Sequence, residues 1–182
     1  MHHLRCLKAL PQSVGDAGNV EGSSFPAGHG FSWSGASANL PAFATVDGRT
    51  HWRGGDGIAF MIADDIVIAT PGLGEGIFLA EAAGLTNGLG TINRQYSHFD
   101  GESREFLAQY KCTISAAGSE TINLIARNVM TEKRTESCVP VTGGGKAFVN
   151  SFWISADDGL VWQSDQRTSD DIGQVVVQHI KR

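Results

Sequence analysis

The sequence predicts an all-β domain, a mostly antiparallel sandwich or partly open barrel with at most short helices. Glycine is abundant, with 23 among 182 residues, which exceeds the average of about 7% and indicates many turns. Short apolar runs end at turn signals roughly every 8–12 residues, a spacing typical of all-β domains. Residues 105–114 alternate between polar and apolar side chains, with Leu107 as an exception, which is the period of a half-buried strand.

The first half of the predicted domain reads as two hairpins. They are residues 43–46 with 50–53, which flank Asp47-Gly48, and residues 58–62 with 66–69, which flank Asp64-Asp65. An Asp-Gly pair between strand-like runs is a strong hairpin signal. A short helix is predicted over residues 77–83, closed by Gly84.

The second half is predicted to be strands throughout, and one of them has a definite register. Tyr110, Cys112 and Ile114 are expected on one face, with Gln109 and Lys111 on the other. The remaining strands are expected at residues 91–99, 121–130, 147–155, 160–162 and 175–180. Phe148, Phe152 and Trp162 are expected to share the main core, because their strands follow one another along the chain.

Residues 1–38 differ from the rest of the chain because they show no sustained period. We expect this segment to be poorly ordered or a non-native start, and we expect residues 39–182 to form a single β domain. The net charge is −5 and no long basic run is present, so nucleic acid and anionic membrane surfaces are poor candidate partners.

The sequence identifies no catalytic, cofactor-binding or metal-binding residues. The run 143–146 resembles a phosphate-binding loop, but Ala147 stands where that loop requires Ser or Thr. None of the six histidines belongs to a metal-ligand pattern, and the pairs of aspartates fall at predicted turns, where aspartate is favoured. We therefore expect no cofactor and no enzyme activity.

Two of the four tryptophans, Trp52 and Trp162, are candidate sugar-binding residues because both adjoin polar residues. Aromatic rings bind the apolar faces of sugars, but core packing is the commoner use of tryptophan in a β domain. Three cysteines are present: Cys6, Cys112 and Cys138. The last two could pair and leave Cys6 alone, or they could remain separate buried thiols.

From about residue 43 to the end, the sequence resembles the group 4 capsule polysaccharide lipoproteins, the GfcB/YjbF family. The matching elements occur in the family's order: residues 65–74, Arg94-Gln95-Tyr96 with Asp100-Gly101, Cys112, Glu136-Ser137-Cys138, residues 148–154 and residues 159–164. The sequence departs from the family at Arg167, where a tryptophan is usual, and at Asp170, where a proline is expected. Leu4-Arg5-Cys6 is not a lipobox, because a charged residue precedes the cysteine.

The resemblance implies a non-enzymatic accessory protein of exopolysaccharide or capsule production and secretion. It implies export to the periplasm, association with the outer membrane through a lipid anchor that this chain lacks, and envelope proteins of polysaccharide export as partners. It also favours a disulfide between Cys112 and Cys138, since both match family cysteines. An alternative is a carbohydrate-binding module that recognises the secreted polysaccharide, and a polysaccharide-modifying enzyme ranks third.

Overall fold

In the computed structural model, the described residues are 28–33, 35–54, 57–81, 88–99, 104–124, 127–142 and 145–180. Within these residues the chain forms twelve β-strands and no helix. The strands are β1 (Gly28–Trp33), β2 (Ala36–Val46), β3 (Arg49–Arg53), β4 (Ala59–Ala63), β5 (Ile66–Ala69), β6 (Ile77–Glu81), β7 (Gly90–Phe99), β8 (Glu105–Leu124), β9 (Arg127–Thr142), β10 (Phe148–Ile154), β11 (Val161–Ser169) and β12 (Gly173–His179). None of the described residues belongs to a helix long and apolar enough to cross a membrane.

All twelve strands belong to one antiparallel sheet that curls into a nearly closed barrel. The order is β5-β4-β3-β2-β1-β12-β11-β10-β9-β8-β7-β6, so that β5 and β6 are its two edges. These edges follow one another in the chain, and the Thr70 N–H donates to the Ile77 carbonyl at 2.9 Å where they meet. The predicted all-β fold is therefore confirmed, as a barrel with one unsealed seam between β5 and β6.

The interior of the barrel holds the main hydrophobic core. Phe31, Phe60, Phe152 and Val175 are among its buried members, and they come from both halves of the chain. The predicted register of β8 is confirmed, because Tyr110, Cys112 and Ile114 are buried while Gln109 and Lys111 are exposed.

A glutamine inside the barrel supports the seam. The Gln166 side chain on β11 accepts a hydrogen bond from the Val67 N–H at 3.0 Å and donates one to the Asp65 carbonyl at 2.8 Å. Buried backbone groups need such partners, because an unpaired one costs roughly 1–3 kcal/mol. Gln166 thus provides, from the opposite wall, hydrogen bonds that a neighbouring strand would otherwise make to edge strand β5.

The helix predicted over residues 77–83 is wrong for its described part, because Ile77–Glu81 is strand β6. Ile77 and Ala80 are buried while Phe78 and Leu79 are exposed, a spacing of three that imitates one face of a helix. The cause is an irregularity between Ile77 and Leu79 in the pairing with β7, since a bulge shifts the alternation of a strand by one residue.

The placement of Trp162 in the main core is also wrong. Phe152 lies in that core and Phe148 packs against it, but Trp162 forms a second cluster with Ile122 and Trp153. The pairing of β10 with β11 shifts between Trp153 and Ile154, and this irregularity changes the environment of Trp162.

The domain as described begins earlier than the predicted residue 39. Residues 28–33 form β1, which pairs with both β2 and β12 and so joins the two halves of the sheet. Phe31 is buried between two less buried neighbours, but the glycines of β1 have no side chains, so this alternation is not apparent in the sequence. Residues 1–27, the rest of the segment expected to be poorly ordered, lie outside the described residues.

Candidate functional site

One end of the barrel contains a pocket that we call the aromatic mouth. Its cavity has a volume of about 200 Å³, and its walls carry six rings and one guanidinium group. These groups belong to Tyr96, His98 and Phe99 of β7, Phe106 and Tyr110 of β8, Phe148 of β10 and Arg167 of β11. Strand alternation explains part of the lining, because Tyr96 and His98 share one face of β7 and Phe106 and Tyr110 share one face of β8.

The rings of the aromatic mouth pack mostly edge to face. The ring centroids of Tyr96 and Tyr110 are 5.8 Å apart at 79°, and those of Tyr110 and Phe148 are 5.0 Å apart at 70°. His98 and Phe106 are nearly parallel at 5.3 Å. Such arrangements stabilise each aromatic pair by about 0.5–1.5 kcal/mol in addition to the contribution of the buried area. We therefore expect these side chains to be well ordered in the walls of the pocket.

Glycine is required at position 145 in the wall of the aromatic mouth. A Cβ atom at this position would overlap the hydroxyl of Tyr110, so any side chain larger than hydrogen would displace the tyrosine. The pKa of Tyr110 is raised by burial, with an opposing effect from Arg167. Its hydroxyl is therefore neutral near pH 7 and is able both to donate and to accept a hydrogen bond.

The rim of the aromatic mouth carries charge. Asp170 forms ion pairs with Arg167 and with Lys146, the latter at 2.9 Å, so two cations share one carboxylate. Burial lowers the pKa of His98, the Gly76 carbonyl acts in the opposite direction, and Arg167 lowers it slightly further. His98 is therefore neutral at pH 7, and its Nδ1 lies 3.3 Å from the Gly76 carbonyl, to which it donates.

Beneath the aromatic mouth, a row of polar side chains crosses the interior of the barrel. The Arg94 Nε donates to Glu136 Oε1 at 2.7 Å, and the two side chains form an ion pair with no exposed surface. The Asn150 amide donates to Glu136 Oε2, also at 2.7 Å. Both carboxylate oxygens are thus hydrogen-bonded, which is the condition for burying a charge in a folded protein.

This polar row is connected to the aromatic mouth at two points. The Arg167 N–H donates to Asn150 Oδ1 at 2.8 Å, and the Tyr96 side chain also hydrogen-bonds Asn150. Burial raises the pKa of Tyr96, and the negative charge of Glu136 raises it further. Tyr96 is therefore neutral, and the polar row fixes the backbone of Arg167 at the pocket wall.

Cys112 and Cys138 are bonded in a disulfide in the structure. They are direct cross-strand partners on β8 and β9, close to Glu136. The two sulfur atoms and a carboxylate oxygen of Glu136 lie within 4.8 Å of one another, which is a spacing that metal ligands can adopt. The disulfide leaves no thiolate to bind a metal, so this group is structural. Cys6 lies outside the described residues.

We expect removal of the disulfide to lower the free energy of unfolding by about 3.5 kcal/mol. The bonded residues are 26 positions apart, and opening a loop of that length restores entropy to the unfolded chain. The measurement is urea unfolding of wild type and of a Cys112→Ala/Cys138→Ala variant, both without reductant. Addition of dithiothreitol provides the control, since it should destabilise the wild type and leave the variant unchanged. Equal stability of the two proteins without reductant would contradict this prediction.

The two tryptophans proposed for sugar binding are both buried, with Trp52 7% exposed and Trp162 5% exposed. The His29 ring lies 4.0 Å from that of Trp52, and the Arg127 guanidinium lies 4.1 Å above the ring of Trp162. Protein groups therefore already occupy the surroundings of both rings. Their sugar binding stays a prediction.

The sequence does not single out the residues of the aromatic mouth as a site. His98 and Phe106 look like ordinary strand residues, and Arg167 stands out only as a departure from the family. The sequence does contain a weak signal. Tyr96 and His98 are two residues apart on one predicted strand, and Phe106 and Tyr110 are four apart on the next, so each pair is expected to share one face of its strand. Strands β7 to β11 are consecutive both in the chain and in the sheet, so the approach of Arg167 to the rings of β7 and β8 depends on the curvature of the sheet, which no local pattern records.

Comparison with known proteins places the chain in a family. The family described as "Group 4 capsule polysaccharide lipoprotein gfcB, YjbF" matches residues 33–180, which include the whole aromatic mouth. No curated protein matches the sequence significantly. The crystal structure of the hypothetical lipoprotein YmcC from Escherichia coli K12 has a similar fold, with a TM-score of 0.77 and 19% identity over 86% of this chain and 84% of that one. The chain therefore belongs to the group 4 capsule polysaccharide lipoprotein family, GfcB/YjbF.

Proposed function

We propose that this protein is a non-enzymatic accessory protein of exopolysaccharide or capsule production and secretion, located in the periplasm at the outer membrane. The observation that carries the proposal is the family match over residues 33–180. The disulfide between Cys112 and Cys138 supports an oxidising compartment, because such bonds persist outside the cytosol and are rare within it. Envelope proteins of polysaccharide export are the proposed partners, and a lipid anchor is the proposed link to the membrane.

The arrangement of carboxylates favours an accessory role over catalysis. Hydrolysis of a glycosidic bond usually needs two carboxyl groups across a cleft, one of them free to give a proton. Glu75 and Asp170 both line the aromatic mouth, but Asp170 is engaged by Arg167 and Lys146. The pair Asp64 and Asp65 lies at a turn, where both residues have positive φ, as turn-forming aspartates do.

Deletion of the gene in the source strain is the direct test. We expect less polysaccharide outside the cells, because a step of assembly or export would lack its accessory protein. The sugar composition and linkages of the remaining polymer are expected to stay unchanged. Extracellular sugar and linkage analysis measure the two quantities, and complementation with the wild-type gene is the control.

Two outcomes of the deletion would count against the proposal. Normal polysaccharide secretion would remove the accessory role altogether. A polymer of altered linkage or substitution would indicate a polysaccharide-modifying enzyme instead, and loss of complementation by Glu75→Gln would then assign that activity to the aromatic mouth.

A further inference from the structure

We propose that the aromatic mouth is a sugar-binding site that holds one pyranose ring of the polysaccharide. This inference rests on the proposed function for its source of ligand, and it names the residues that would make the contact. It differs from the sequence-based hypothesis, which assigned sugar binding to Trp52 and Trp162.

The size of the aromatic mouth limits the ligand to a small one. Its volume of about 200 Å³ is below the roughly 300–1,000 Å³ of sites for drug-sized ligands. Beneath it, Tyr96 is held by Asn150, and the Arg94–Glu136 ion pair has no exposed surface. The pocket therefore has room for a single ring rather than for a stretch of polymer.

Aromatic surface remains exposed at the rim of the aromatic mouth. Phe106 is 44% exposed and Phe99 is 37% exposed, although both line the pocket. Exposed aromatic rings beside a cavity offer an apolar face without any side-chain rearrangement, because their packing partners are already in place. The ring of Phe106 is supported from one side by His98 at 5.3 Å. Such a face suits the C–H surface of a pyranose.

Hydrogen-bonding groups of both kinds surround that apolar face. Arg167 supplies donors and Asp170 supplies acceptors, and the two lie next to each other in an ion pair at the rim. Ser169 and Thr168 add hydroxyl groups to the lining. A sugar hydroxyl both donates and accepts, so neighbouring hydroxyls can satisfy such a pair together. A purely apolar ligand would instead take the Arg167–Asp170 ion pair out of water without offering it any hydrogen bond, which disfavours a lipid chain.

Saturation-transfer NMR on the purified protein tests the proposal. The probes are D-glucose, D-galactose, N-acetyl-D-glucosamine and D-glucuronate at millimolar concentration, with sodium octanoate as the apolar comparison. We expect transfer to the ring protons of at least one sugar and none to octanoate. Phe106→Ala and Arg167→Gln are each expected to weaken sugar binding about tenfold, as for a residue central to a contact.

The matched control is Phe43→Ala, which truncates a 70% exposed phenylalanine on β2, outside the lining of the pocket. It should bind as the wild type does, and denaturant unfolding of each variant verifies that it is folded. Sugar binding that is equal in all variants would overturn the proposal, as would octanoate binding in place of sugar or the absence of any sugar signal. In each of these cases the deletion phenotype still decides the accessory role independently, so the two failures are distinguishable.

Discussion

Replacement of Arg94 by methionine is expected to lower the free energy of unfolding by about 3–5 kcal/mol. The substitution keeps a long unbranched side chain but removes the guanidinium group that pairs with Glu136 inside the barrel. Both side chains have no exposed surface, so the carboxylate would stay buried and keep the Asn150 amide as a hydrogen-bond donor, but it would lose its cation. Urea unfolding followed by tryptophan fluorescence measures the change.

The controls for Arg94 separate loss of the ion pair from loss of an arginine. Arg53→Met removes an exposed arginine on β3 and should change stability by less than about 0.5 kcal/mol. In the double variant Arg94→Met/Glu136→Gln no uncompensated charge remains, so its cost is expected to be smaller than the sum of the single costs. A loss below about 1 kcal/mol for Arg94→Met would show that the buried pair contributes little to folding.

The polar row also explains which part of the site the sequence could reveal. Arg94 shares an inward face with Tyr96, and Glu136 shares one with Cys138, because each pair is two residues apart on a strand. A charged residue on an otherwise apolar face of a strand can therefore be identified from the sequence of that strand. Its ion-pair partner cannot be identified in this way, because Arg94 on β7 contacts Glu136 on β9, and β8 lies between these two strands in the sheet.

The same distinction holds for the fold as a whole. The strands that alternate cleanly were predictable, as the faces of Tyr110 and Lys111 show. The closure of the barrel was not, because it depends on β1 pairing with β12, which brings His29 beside His179 across 150 positions of sequence. Local patterns contain no record of such pairings, and this is why a sandwich and a partly open barrel remained equal alternatives.

Irregular pairing accounts for the two sequence-based predictions that failed along the strands. In the pairing of β6 with β7, the irregularity after Ile77 produces a spacing of buried residues that resembles a helix. In the pairing of β10 with β11, the irregularity after Trp153 places Trp162 outside the main core. A bulge adds one residue to one strand, so it reverses the inward and outward positions beyond it. Since it leaves composition and turn signals unchanged, periodicity alone cannot locate it.

Truncation of Phe152 to alanine is expected to cost about 3–5 kcal/mol of unfolding free energy. Phe152 is 0% exposed and belongs to the main core. It lies in the middle of β10, whose neighbours β9 and β11 are paired on both sides, so the barrel wall has little freedom to collapse into the cavity that the lost ring would leave. The cost combines the lost transfer energy of the ring with the energy of that cavity.

Urea unfolding of Phe152→Ala, Phe152→Leu and Phe43→Ala tests this account. Leucine retains much of the apolar volume, so its cost should fall well below that of alanine. Phe43 is 70% exposed, and its truncation should cost less than about 0.5 kcal/mol. If Phe152→Ala and Phe43→Ala lower the free energy of unfolding equally, packing in the interior of the barrel contributes less to stability than we predict. A large loss for Phe152→Ala alone would assign that stability to the packed interior of the barrel.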